Sequence, residues 1–197
     1  IGNIAHLRAA SAAEMREFWN RYYIPNNAAL VIVGAVEHQK AQQLAEQYFG
    51  WIQARPQPPR VSICEPPPAG PRHLVIDDEL APAPLAGIVW RTVPHGHPDE
   101  PPLDFLAAIL GDGNSSRLYR RLVAETQTAV HAAAWTYTLE QDGVFAAGAM
   151  LNGSEPNQIF ACIHAELNQI LQEGIPEKEL EKARNKILKQ VVAENLT

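Results

Sequence analysis

The sequence predicts an α+β domain, a largely antiparallel sheet flanked by helices. Two observations point there. Strand-like and helix-like segments come in two rounds, first helix–strand–helix, then strands, helices, a hairpin and two more helices. The second round contains Asp142-Gly143 between two strand-like runs, 128–139 and 144–151, which is a hairpin signal. With 197 residues, 46% of them hydrophobic, one sizeable core is available.

The stretch from Ser11 to Trp51 is the most sharply written. Ser11 and Glu14 form a capping-box pattern, and Met15, Phe18, Trp19 and Tyr22 fall on one helical stripe. Pro25 ends that helix, and Asn26-Asn27 supplies a turn. Leu30-Val31-Ile32-Val33 reads as a short strand covered on both faces. Ala41, Leu44, Ala45 and Tyr48 mark a second helix, stopped at Gly50.

Seven prolines between Pro56 and Pro71 form an extended connector. The part before it is small for an independent core, which favours a long link inside one domain over residues 1–197. Strand-like sequence resumes at His73-Leu74-Val75-Ile76 and again over Pro84 to Val93. A helix opens at Glu100-Pro101-Pro102 and breaks at Gly111-Asp112-Gly113. Asn114-Ser115-Ser116 caps another, over 117–125. After the hairpin, Ser154-Glu155-Pro156 starts a helix striped with Ile159, Ile163, Leu167 and Ile170. The last helix carries Leu180, Ala183, Ile187 and Val191. The linker-like opening Ile1-Gly2-Asn3-Ile4 and the uncapped close lead us to expect a piece of a longer, two-domain chain.

Several function classes are disfavoured. A net charge of −6 with no basic stripe argues against nucleic acid. No apolar run reaches the length of a membrane span. The two cysteines, Cys64 and Cys162, do not fix a compartment, and Cys162 reads as a buried free thiol on a helical stripe.

The Phe18-Trp19, Tyr22-Tyr23, Pro25-Asn26-Asn27 and Leu30–Gly34 pattern, followed by Tyr48-Phe49-Gly50, resembles the second domain of the pitrilysin and insulin-degrading-enzyme family. Ser116-Arg117-Leu118-Tyr119, about a hundred residues on, adds to the resemblance. Where the family has Gly-Asp-Val-Asp this chain has Gly34-Ala35-Val36-Glu37, so the first acidic position is lost.

The resemblance implies a zinc metallopeptidase whose metal is held by a His-x-x-Glu-His helix in a preceding domain. That spacing puts two imidazoles and a water-activating carboxylate on one helical face. No such motif occurs in this chain. It implies further that active partner halves carry an Arg and a Tyr after the Ser-Arg-Leu-Tyr helix, reaching the substrate. On that register Val123 and Val130 occupy those positions, and neither valine donates a hydrogen bond.

The expectation is therefore a non-zinc lobe of a zinc metalloendopeptidase, inactive alone. It would scaffold a substrate chamber and an interface with a partner half, with no catalytic, substrate-binding or metal residue of its own. Zinc would sit in an upstream domain, and the partners would be a peptide or protein substrate and a second homologous half, fused or separate. The resemblance points to the bacterial periplasm or envelope. A pseudo-peptidase half acting as an assembly scaffold is the alternative, and a stand-alone binding domain a weaker third.

Other residues compete for chemistry. Arg117 and Tyr119 are substrate contacts on one reading; on the other, Arg117 begins an exposed helical turn while Leu118 and Leu122 face the core. His95-Gly96-His97-Pro98-Asp99-Glu100 is the one histidine–acid cluster, and reads as a loop before a helix N-terminus rather than a metal site. Asp77-Asp78-Glu79 reads as solvated acid. Trp19, Trp51, Trp90 and Trp135 read as core or interface. Gly111-Asp112-Gly113 lacks the strand and lysine of a phosphate loop.

Overall fold

A computed structural model describes residues 3–60 and 66–196. Cys64 lies outside the described residues. The chain falls into two compact units, residues 1–66 and 67–197, and each is described by itself.

The first unit is helical. Helix α1 (Ile4–Ala9) opens on Asn3, whose side chain accepts from the Ala5 amide at 2.8 Å. The linker expected at Ile4 is therefore a short helix, nucleated by an asparagine cap. Helix α2 (Ala12–Tyr22) starts on the Ser11/Glu14 capping box, with the Ser11 amide donating to Glu14 Oε2 at 2.8 Å and the Glu14 amide to Ser11 Oγ at 3.2 Å. Both asparagines after Pro25 close the turn. Asn27 Nδ2 donates to the Tyr22 carbonyl (2.9 Å), one of the orphan acceptors at the end of α2. Asn26 Nδ2 donates to the Arg55 carbonyl (2.8 Å), tying the turn to the end of the unit.

The strand expected at Leu30–Val33 does not form a ladder; the run has no strand assignment. An apolar β-branched run becomes a strand only when a second run pairs with it, and no described residue of the first unit does. Its period of two survives. Leu30 and Ile32 line a shallow apolar groove with Leu44 and Tyr48 of α3 (His38–Phe49), while Val31 and Val33 are 78% and 90% exposed.

The second unit is a three-stranded antiparallel sheet with helices on one face. Strands β1 (Leu85–Thr92), β2 (Ala129–Thr138) and β3 (Gly143–Leu151) lie in the order β1-β3-β2, so β2 and β3 form the predicted hairpin. His73–Ile76, expected as a strand, is not part of the sheet, and Leu74, Val75 and Ile76 are exposed. The fold class stands as predicted.

Helices α4 (Glu100–Gly111) and α6 (Pro156–Glu173) pack on the inner sheet face. That face is built from Ala86, Ala132, Ala134, Ala147 and Ala149, small enough to let helices approach closely. Leu110, Leu118, Ile159 and Ile163 fill the space between and are fully buried, each contributing about 1.5–3 kcal/mol relative to exposure. Helix α7 (Glu177–Asn195) buries Ala183 and then runs out, leaving Val191 half-exposed.

Candidate functional site

The segment from Ser116 to Val130 joins α4 to β2. Ser116 Oγ donates back to the Gly113 carbonyl at 2.7 Å, closing the turn after α4. One α-helical turn follows, α5 (Arg117–Tyr119), which passes into a π-helical run, Arg120–Glu125. The π geometry is held at its end by Thr126. Its amide and its hydroxyl both donate to the Arg121 carbonyl, at 3.0 and 2.8 Å. A regular α-helix over 117–125, as the periodicity suggests, is thus replaced by a wider turn.

Leu118 and Leu122 face the core, as expected. Arg117 does not begin an exposed turn: it is 7% exposed. Its Nε and Nη2 donate to Glu179 Oε2 at 2.9 and 2.8 Å, and Nη1 lies 3.7 Å from Glu166. An always-charged guanidinium is buried only with carboxylate partners, and these come from α6 and α7, beyond the reach of local periodicity. Arg117 is thereby committed within the fold. Tyr119 is half-buried.

Val123 is half-buried and packs against the core, whereas Val130 is 51% exposed at the bulge where β2 shifts register against β3. Val123 lies within the π turn, and Gln127, held at φ 54°, intervenes between the turn and Val130.

The histidine–acid loop is organised around Glu100. Glu100 accepts from Thr138 Oγ1 (2.6 Å), from the Gly96 amide (2.7 Å) and lies 3.0 Å from His95 Nδ1. Those donors, led by the Thr138 hydroxyl, pull its carboxyl down to about 2. His97 Nδ1 accepts from the Asp99 amide at 3.1 Å. Residues 77–79 are exposed, and Asp78 Oδ1 closes a turn onto the Leu80 amide. Of the tryptophans, Trp90 packs against Phe145 with centroids 5.8 Å apart, Trp19 stacks on Tyr23 at 4.1 Å, and Trp51 and Trp135 are exposed. Cys162 is half-buried against the core, and burial pushes its thiol up to about 11.

The sequence profile of the peptidase M16 inactive domain matches residues 9–187. The chain belongs to the peptidase M16 family. It is an M16 domain of the inactive, C-terminal type, in agreement with the pitrilysin resemblance. It is 25% identical over 190 residues to the zinc protease PqqE of Helicobacter pylori, covering 93% of this chain and 42% of that protein. A crystal structure of a Helicobacter pylori protease superposes with a TM-score of 0.88 at 24% identity, over 100% of this chain and 48% of that one. The periplasmic protease PqqL of Escherichia coli gives a TM-score of 0.69 at 19% identity, over 98% and 22%. The M16 chain thus spans less than half the length of each.

Among the described residues no three His, Cys, Asp or Glu side chains converge where a metal ion could sit. His95 and His97 already spend Nδ1 on Glu100 and on the Asp99 amide. No described helix is long and apolar enough to cross a membrane.

Proposed function

We propose that this chain is the non-zinc lobe of a zinc-dependent metalloendopeptidase, one domain of the C-terminal type over residues 1–197. The continuous match to an inactive M16 domain over 9–187 is the observation that carries this reading. The metal would be held outside this chain, in an upstream domain, and the lobe would scaffold a chamber for a peptide or protein substrate. The outer face of the sheet suits a chamber wall. Helices pack on the other face, while Leu85, Val89, Trp135 and Tyr137 remain 49–71% exposed on this one. An extended peptide is recognised by such alternating apolar side chains and by strand backbone.

The lobe would not itself clamp the substrate. Val123 is engaged with the core, and neither its side chain nor that of Val130 carries a donor. A partner half, fused or separate, would bring those contacts. Similarity to a protein described as periplasmic favours the periplasm or envelope.

The valines also sustain a second reading, a pseudo-peptidase half that serves as an assembly scaffold. The coding sequence upstream of the Ile1 codon discriminates between them. A His-x-x-Glu-His helix there supports the peptidase lobe. An upstream domain without it leaves neither half of the chemistry in the protein and moves the assignment to the scaffold.

A further inference from the structure

A cleft of about 390 Å³ opens between α5 with its π turn, the end of α6 and the start of α7. Four of its side chains form a line of alternating charge. Glu166 lies 3.7 Å from Arg117, Arg117 is paired at 2.8 Å with Glu179, and Glu179 lies 3.6 Å from Arg120. The Arg117–Glu179 pair in the middle of this line is satisfied by close contacts. Its two ends are not. Among the described residues the Glu166 carboxylate accepts no hydrogen bond although its side chain is 16% exposed, and its one ion pair is long. The Arg120 guanidinium, 55% exposed, likewise makes one long ion pair and no hydrogen bond.

An anion without a hydrogen-bond donor at one end and an exposed cation at the other, lining one cleft, complement a ligand with both charges. We propose that this cleft binds a zwitterionic short peptide, its α-ammonium at Glu166 and its carboxylate at Arg120. The volume lies within the range of small-molecule sites, roughly 300–1,000 Å³. An extended dipeptide is about 7 Å long and carries its two charges at opposite ends. Arginine presents a planar fork to a carboxylate and can grip it bidentately. Of the neighbouring charges, Arg121 is paired with Glu125 at 2.9 Å and Glu173 accepts from Gln169 at 2.8 Å. Nothing in this site depends on the peptidase reading.

Calorimetric titration of the 197-residue chain with glycylglycine at neutral pH tests it. Saturable binding of one peptide per chain in the millimolar range is expected, weakened about tenfold or more by Glu166→Gln and, separately, by Arg120→Gln, as loss of a charge-assisted hydrogen bond implies. Both positions lie toward the ends of the charge line, and the thermal melt of each variant reports whether it folds. Glycylglycinamide and N-acetylglycylglycine, each lacking one charge, should bind more weakly by a similar factor. The proposal is overturned by the absence of saturable binding, by equal binding of the doubly blocked dipeptide, or by folded variants that bind as the parent does.

Discussion

Gly111, in the last turn of α4, lies so close to Ala134 of β2 that a β-carbon at 111 would sit 1.8 Å from the Ala134 amide nitrogen. The obstacle is backbone, which cannot rotate aside. Gly111→Ala should therefore push α4 off the sheet and lower stability by about 2–3 kcal/mol, the upper part of the usual overpacking cost. Urea unfolding checks this. A variant as stable as the parent would mean that the helix and strand do not approach so closely.

Arg117 holds α5 to α7 through Glu179 and faces Glu166 on α6. Arg117→Met keeps an unbranched side chain but removes the guanidinium, leaving Glu166 without its ion-pair partner and Glu179 with only its longer contact to Arg120. A loss of about 3 kcal/mol is expected, as for other broken buried pairs. Adding Glu179→Gln should recover part of it in a double-mutant cycle, whereas strictly additive effects would show that the pair is not coupled.

Glu100 supplies the acid sensitivity of the loop before α4. Folding lowers its pKa from 4.5 to about 2, through the Thr138 hydroxyl first, then the Gly96 amide and His95. The folded state therefore holds this proton less tightly than the unfolded one. The stability it contributes is complete above about pH 4.5 and is lost as pH falls toward 2. Denaturant midpoints across that window should fall more steeply for the parent than for Glu100→Gln. Identical slopes would exclude Glu100 as the source.

Gln127 adopts φ 54°, a left-handed conformation that costs a side-chain-bearing residue about 1–2 kcal/mol. Gln127→Gly removes that strain but loosens the unfolded chain, so a net gain of about 0.5–1 kcal/mol is expected in thermal unfolding. The Asn152 side chain bonds to the carbonyl of residue 127 and is unaffected by the change. A destabilised variant would contradict the strain.

What was legible in the sequence was local. The Ser11/Glu14 box, the Asp142-Gly143 hairpin and the Ile159/Ile163 stripe each fit within a few residues, and each formed where expected. Partnerships over distance were not. Arg117 meets Glu179 across 62 positions, and no period of 2 or 3.6 announces that. Leu30–Val33 has strand chemistry without a ladder, because pairing is decided by another segment. The π turn escaped because its cause is the hydroxyl and amide of Thr126, residues past the helical pattern. For the site, the resemblance located Val123 and Val130 by register, while only the folded chain reveals that Val123 packs against the core and that Val130 is exposed.

The most direct test of the non-zinc assignment is the zinc content of the purified 197-residue chain after incubation with the metal at neutral pH and gel filtration. The assignment predicts far less than one zinc per chain, with no metal-dependent peptide cleavage. One tightly held zinc per chain would contradict it, and would turn attention to the loop carrying His95 and His97.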